Sequence, residues 1–425
     1  MKNLNYLLLT LYTLFANLAF GRDINSLCID IIKRKCTICH NKNENVPFTI
    51  LTNNDITKHK STILYVINNQ IMPPWHPDES YQSFENTLSL NNNDINLLNK
   101  WLSKNKIKPF EIAPPAITKN NKPKLTFHMN KSFLKEPNER DNFLWFQAPF
   151  IIKDSLYINS VRLNSTNKKS LHHCELFSTS QKNFIGDITK YEDKKDYIIS
   201  TDTFWDDYQT SLFEEKKFIA GRFSSSMLQR YPKGVCNVVS PNNFFIYYTH
   251  YAPIPISDKD SSWFDIYLTE SKDCRTMLEL NINAFHNLIN KPFFISADSI
   301  NSFHCKKKVE DSISVFSIYP HAHHLCKKML CFAVTPNNDT IPLYKTENWN
   351  FYWQWVYEYK KYAILPSGTI IHSIATFDNT SKNPDNPFSP PKDTNLSLKS
   401  TDEMMTIFLY YVKYKRGDEN SVLEY

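Results

Sequence analysis

Residues 312–329 read SISVFSIYPHAHHLCKKM. The first ten of them form a short alternating run of the kind that makes a half-buried β-strand. The run ends in His321, His323 and His324, three of only 13 histidines in the chain. On a strand, positions i and i+2 face the same way. His321 and His323 are therefore placed to grip one ion together.

Working outward, similar runs recur from residue 125 to the end, among them NNFFIYYTHYAPI and TIFLYYVKY. Turn clusters rich in Pro, Asn, Asp and Ser separate them. That is an all-β pattern too long for one small sandwich, so two antiparallel β-sandwiches are expected, over 124–272 and 273–425. The segment before them differs. Residues 22–112 hold helix-like stretches such as NNNDINLLNKWLSKN, with Ile95, Leu98 and Leu102 on one face, and read as a small α-helical unit. The Pro-, Lys- and Asn-rich stretch at 113–123 reads as a linker. The first 21 residues have a basic start, an apolar stretch and a small-residue end, the pattern of a secretory signal peptide; an uncleaved anchor is the alternative. A periplasmic or secreted location follows, with no stable membrane insertion after cleavage.

The 425 residues are 41% hydrophobic and 14% aromatic, enough to build sizeable cores and to exclude a disordered chain. The net charge of +6 is modest, and its lysines are scattered, so nucleic acid is excluded as a partner. Glycine is scarce, at six residues, so Asn must serve many of the tight turns.

In the first unit, CTICH at 36–40 is a C-x-x-C-H signature for covalent attachment of c-type haem. Cys36 and Cys39 would bond the haem, and His40 would reach the iron. Met72, in IMPPWHP, is the expected second axial ligand, with His76 as a rival. The unit is thus expected to be cytochrome c-like.

In the β region the remaining histidines are unevenly placed. His172 and His173 are adjacent in SLHHCELF, and His250 ends a strand-like run. Adjacent residues on a regular strand face oppositely, so His172 and His173 share an ion only where the backbone bulges. LHHCELF, QRYPKGVCNVV with YYTHYA, VFSIYPHAHHLCKKM and STDEMMTIFLYYV, in that order, resemble motifs of the copper type II, ascorbate-dependent monooxygenases, the family of peptidylglycine α-hydroxylating monooxygenase and dopamine β-hydroxylase. The resemblance covers about residues 124–415 and implies jelly-roll sandwiches and two copper ions. It places one copper, which passes electrons, on His172, His173 and His250. It places the other, which binds O2 beside the substrate, on His321, His323 and Met404, with Met405 as the rival to Met404. His324 is not a ligand in the family. A thioether beside imidazoles suits copper rather than zinc.

There are departures from the family. Tyr319 stands where the peptide-hydroxylating member has an arginine, and Thr406 and Phe408 replace its asparagine and tyrosine. The carboxylate clamp is lost, so a peptide ending in glycine is not the expected substrate. Cys326 replaces a glycine. Seven cysteines remain beyond the haem pair, an odd number, and no specific bridge is expected. The segments NWNFYWQWVYEY, LPSGT and DNTSKNPDNP also resemble bacterial relatives, without a role legible in the sequence.

Together these readings predict an exported, haem-linked copper monooxygenase. It would use O2 and an external electron donor to hydroxylate a C–H bond of a small organic substrate, with electrons passing from haem to the first copper. The alternative is a non-catalytic electron-transfer or copper-binding protein on the same scaffold.

Overall fold

The computed structural model of the chain describes residues 23–42, 46–104, 107–113, 124–128, 132–137, 142–147, 151–166, 170–180, 197–199, 216–222, 228–251, 254–269, 273–397 and 401–425. The expected signal peptide, most of the expected linker and the seam at 272 lie outside them. The chain forms two compact units. The described residues of 23–75 and 88–113 make one, and those of 76–87 and 124–425 make the other.

The first unit holds three helices, α1 (Ile24–Lys35), α2 (Asn53–Asn68) and α3 (Asn92–Leu102). Reciprocal capping boxes start two of them. The Asp55 N–H donates to the Thr52 hydroxyl while the Thr52 N–H donates to Asp55, and Asn91 and Asp94 repeat the exchange. Helical spacing then turns Cys28, Ile31 and Ile32, Ile56, Ile63 and Ile67, and Leu98, Trp101 and Leu102 into one core. In α3 the buried face is Leu98, Trp101 and Leu102, and Ile95 lies at its margin.

The second unit is almost wholly β. Its earlier part contains β1 (Leu125–His128), β2 (Phe133–Lys135), β3 (Asn142–Gln147), β4 (Leu156–Asn164), β5 (Leu171–Ser180), β6 (Tyr197–Ile199), β7 (Lys217–Arg222), β8 (Leu228–Arg230), β9 (Val235–Val239), β10 (Asn243–Tyr251), β11 (Asp258–Asp260), β12 (Trp263–Leu268) and β13 (Arg275–Thr276). One sheet runs β1-β12-β4-β9-β13 with β8 on β4, and the other runs β6-β3-β10-β5-β7. The pairing of β13 with β9 is parallel, a departure from the expected antiparallel rule. A disulfide joins Cys236 on β9 to Cys274 beside β13. No specific bridge was expected from the sequence, and the other seven cysteines form no disulfide.

The later part contains β14 (Leu278–Asn283), β15 (Phe294–Ile295), β16 (Ile300–Lys308), β17 (Ile313–Ala322), β18 (Cys326–Val334), β19 (Thr340–Thr346), β20 (Tyr357–Leu365), β21 (Ile370–Asp378), β22 (Thr394–Asn395) and β23 (Met405–Lys413). Two four-stranded sheets run β14-β23-β17-β20 and β16-β21-β18-β19. Residues of β21 are alternately buried and half-buried, so that sheet has one covered face. Strand β17 is buried on both faces. One face meets the partner sheet, where Tyr344 of β19 contacts Tyr357 of β20 at 5.2 Å. The other meets the earlier strands, where Phe218 of β7 stacks on Tyr410 of β23 at 5.3 Å. Among the described residues no helix is long and apolar enough to cross a membrane.

Two segments of unassigned role acquire one. In LPSGT, Gly368 turns β20 into β21 at φ +85°, and a Cβ there would lie 3.2 Å from Pro336, so glycine suits both the angle and the space. In DNTSKNPDNP, buried Asn379 donates to the carbonyls of Ser296 and Lys392 and accepts from Asn386, which fixes the loop across the sheet end.

Residues 76–87 fall within the sequence span expected to be helical, yet they pack on the β unit. The Asp78 N–H donates to the Lys345 carbonyl, the Glu85 N–H to the Glu358 carbonyl, and the Lys345 ammonium lies 3.0 Å from Asp78. Phe84, 0% exposed, sits against Tyr344, Tyr357 and Tyr359. The strap thus runs beside β19 and β20. Phe84→Ala should destabilise the β unit by about 3–5 kcal/mol, the usual cost of emptying an aromatic core site. Urea denaturation of the whole chain reads this, and a change below 1 kcal/mol would show the strap to be an ornament.

Candidate metal centre

The site starts from register. In β17 and β23, Tyr319 pairs with Phe408, His321 with Thr406 and Ala322 with Met405. Directly opposed residues of an antiparallel pair share a face. The Tyr319 and Phe408 rings accordingly stack at 5.7 Å. With a period of two, Met404 falls on the face of Thr406 and His321, whereas Met405 falls on that of Ala322. Met405 is 1% exposed and Met404 is half-buried.

The His321 and His323 rings lie 5.3 Å apart and nearly perpendicular. Each is held through Nδ1. His321 Nδ1 is 2.6 Å from Gln354 Oε1, and His323 Nδ1 is 3.0 Å from the Asp402 carbonyl. Both partners are oxygens that only accept. The amide nitrogen of Gln354 is turned away, donating to the Phe351 and Ala322 carbonyls. Both histidines therefore carry their proton on Nδ1 and leave the Nε2 lone pair free, the state in which imidazole binds a metal. Burial is the main cause that lowers His321 to about 4, opposed by the Gln354 bond and aided by the charge of His250. Burial likewise pushes His323 well below its usual value, followed by the charge of His321 and, more weakly, those of His324 and His250. Both are neutral at physiological pH.

Glu403, 0% exposed, joins the two segments. Its carboxylate accepts from the N–H groups of His323 at 3.0 Å, Leu325 at 2.5 Å and Met404 at 3.2 Å. Burial raises this carboxyl to about 8, against the pull of those bonds and one from Cys326. The aromatic segment after β19 supplies the rest. Trp349 Nε1 donates to the His323 carbonyl, and Phe351 packs on His323 at 5.8 Å and on His324 at 4.0 Å. His324 is thus engaged with Phe351 and Tyr352. The buried Cys326 thiol, raised by burial and by Glu403, stays protonated. Glu403 and Gln354 have no role assigned by the sequence reading; their signal was their presence inside the D-E-M and W-Q segments.

The other three histidines lie on the sheet of β10 and β5. His250 pairs with His173, and Tyr251 pairs with Leu171, so His172 is the extra residue of a β-bulge. A bulge is the backbone condition under which neighbouring side chains converge. The side chains of His172 and His173 lie outside the described residues. His250 is buried, and its charge acts on both His321 and His323, so it lies within electrostatic reach of that pair. Among the described residues no three His, Cys, Asp or Glu side chains converge.

In the helical unit, α1 ends at Cys36, and the His40 N–H donates to the Cys36 carbonyl. His40 Nδ1 lies 2.9 Å from the Phe48 carbonyl, which again leaves Nε2 bare. Burial lowers His40 and raises the Cys36 thiol to about 12. Met72 is 39% exposed, with Ile71 and Tyr65 also exposed. His76 belongs to the β unit, where its Nε2 is buried without a hydrogen bond.

Comparison with known proteins bears on the later β strands. Residues 290–422 match the family described as Copper type II ascorbate-dependent monooxygenase, C-terminal domain. His321, His323, Gln354, Glu403 and Met404 all fall inside that span, which supports a copper monooxygenase-like domain there. His172, His173, His250 and the CTICH segment fall outside it. No curated protein matches the chain. Solved structures similar to parts of it include the VP2 subviral particle of infectious bursal disease virus (9% identity, 69% of this chain and 73% of that one, TM-score 0.19), PNGF-II (7%, 67% and 65%, 0.28) and allantoicase of Saccharomyces cerevisiae (11%, 66% and 80%, 0.18). Scores this low carry no argument about fold or function.

Two outcomes test this geometry. Glu403→Gln turns an amide NH2 toward backbone N–H donors and should cost roughly 1–3 kcal/mol for each donor left unpaired; an unchanged urea midpoint would remove Glu403 from its joining role. The pH response isolates His321. Unfolded histidine protonates near its usual pKa of about 6.5, but folded His321 does so near 4. Between those values the unfolded chain holds more protons, so stability present above about pH 6.5 is lost as pH falls toward 4. In metal-free protein, wild type should therefore lose stability relative to His321→Gln by up to about 1.4 kcal/mol per pH unit across that window. A difference independent of pH would mean that His321 titrates normally.

Proposed function

We propose that the β unit is a copper-dependent monooxygenase in which His321 and His323, through Nε2, and Met404, through its thioether, hold the oxygen-binding copper. The observation that carries this reading is the pair of Nδ1 anchors, which leaves two neutral imidazoles on one sheet face beside a methionine. Two imidazoles and a soft thioether form a donor set that suits copper in both oxidation states. Copper held there supplies the O2 chemistry by which this family places one oxygen atom in a C–H bond. Gln354 and the Asp402 carbonyl fix the tautomers, and Glu403 keeps the histidine turn and Met404 in register. Tyr319 and Phe408 offer an aromatic wall on the same face and no cation to bind a carboxylate, which favours an apolar substrate group there.

His172, His173 and His250 are proposed to hold an electron-passing copper, supported by the bulge at His172. The helical unit is proposed to carry haem c on Cys36 and Cys39, with His40 as iron ligand and Met72 as its opposite. The Phe48 anchor on His40 Nδ1 and the exposed Met72, Ile71 and Tyr65 support this. Haem would then feed electrons from an external donor, and the chain would act after export.

Metal and haem analysis of exported protein tests the assignment. Wild type should hold two coppers per haem, and His323→Ala and Met404→Ala one each. Gln354→Leu should weaken the second copper by about 10–100-fold. Copper content indifferent to all three would overturn the site, and haem without copper would leave a non-catalytic electron carrier. Cys36→Ala with Cys39→Ala should abolish covalent haem and spare copper.

A further inference from the structure

A second pair of imidazoles lies elsewhere, on the sheet of β16, β21, β18 and β19. His304 on β16 and His372 on β21 are both half-buried, on the side of that sheet that alternates with its buried residues. His304 Nε2 and His372 Nδ1 are 3.0 Å apart. The pair is anchored on its strands. His372 stacks flat on Phe332, its direct partner on β18, at 4.7 Å and 7°, and the His304 backbone N–H is held by Asn290. Burial lowers both histidines, and the Lys306 charge adds to it. Neither ring is used by the proposed catalytic site.

One proton is shared between these two nitrogens. A metal ion that takes its place gains two neutral imidazole ligands once the donor ring moves that proton to its other nitrogen. The spacing discriminates between metals. Two metal–nitrogen bonds of about 2.0–2.1 Å spanning the observed 3.0 Å meet at roughly 90–97°. That is the cis angle of a tetragonal centre, typical of Cu(II) or Ni(II), and it is narrower than the tetrahedral angle zinc prefers. Two imidazoles with no carboxylate make the place unattractive to calcium or magnesium, which want oxygen ligands, and Lys306, paired in register with His372, weakens any dication there and so keeps the site exchangeable.

We propose that His304 and His372 form an exchangeable Cu(II) site, separate from the copper positions inferred from the histidines of β5, β10 and β17. Water completes its coordination, because both side chains reach solvent.

The test is a Cu(II) titration of the full chain in the His323→Ala background, followed by counting of bound copper and by electron paramagnetic resonance. One further equivalent should bind with a tetragonal spectrum split by two nitrogens. It should vanish in His304→Ala and in His372→Ala, persist in His286→Ala (an exposed histidine outside the pair), and resist displacement by equimolar zinc. Persistence of that equivalent in either pair variant, equal loss in His286→Ala, or easy replacement by zinc would overturn the proposal. Melting curves that match the parent exclude loss through unfolding. Because the titration reads only this equivalent, its failure leaves the catalytic reading untouched, and the converse also holds.

Discussion

A buried carboxylate governs the geometry of this protein's candidate centre. Glu403 is wholly removed from water, a costly place for a polar group unless donors surround it. Its donors are backbone N–H groups from two segments, the turn after β17 and the start of β23. Neither segment can shift without leaving that carboxylate short of partners. It thereby organises the backbone that carries His323 and Met404, while His323 is also anchored through Nδ1 on the Asp402 carbonyl. The same economy is seen at His321, where one glutamine both orients the ring and is itself locked by two carbonyls.

The β class, the helical start and the pairing of His321 with His323 were legible because each rests on local periodicity. The choice between Met404 and Met405 was not, since adjacent residues differ only in which face they take. Register against β17 puts the two on opposite faces. The adjacency of His172 and His173 posed a problem that a regular strand could not solve, and the backbone answers it with an extra residue at that point. Gln354 and Glu403 act across 33 and 80 residues of chain, on His321 and on the His323 N–H. No local pattern encodes such distances. The disulfide was illegible for the same reason, since cysteine counting constrains pairing only by parity.

The β unit is layered so that its chemistry faces inward. The sheet carrying His321 is covered on one side by its own partner and on the other by the earlier strands, as the Tyr344–Tyr357 and Phe218–Tyr410 contacts show. His250 reaches the same layer electrostatically. Burial there keeps imidazoles neutral, and neutral imidazoles are what a soft metal needs. The aromatic segment with Trp349 and Phe351 closes the end of the turn.

The strap at 76–87 bears on where the chain can be divided. The chain leaves the helical unit, lays Phe84 into a tyrosine-walled slot of the β unit, and returns to build α3. A gene cut at the linker would separate the slot from its plug and strip the β unit of a piece of its own interior. A segment from within the helical span of the chain is thus part of the β unit's interior.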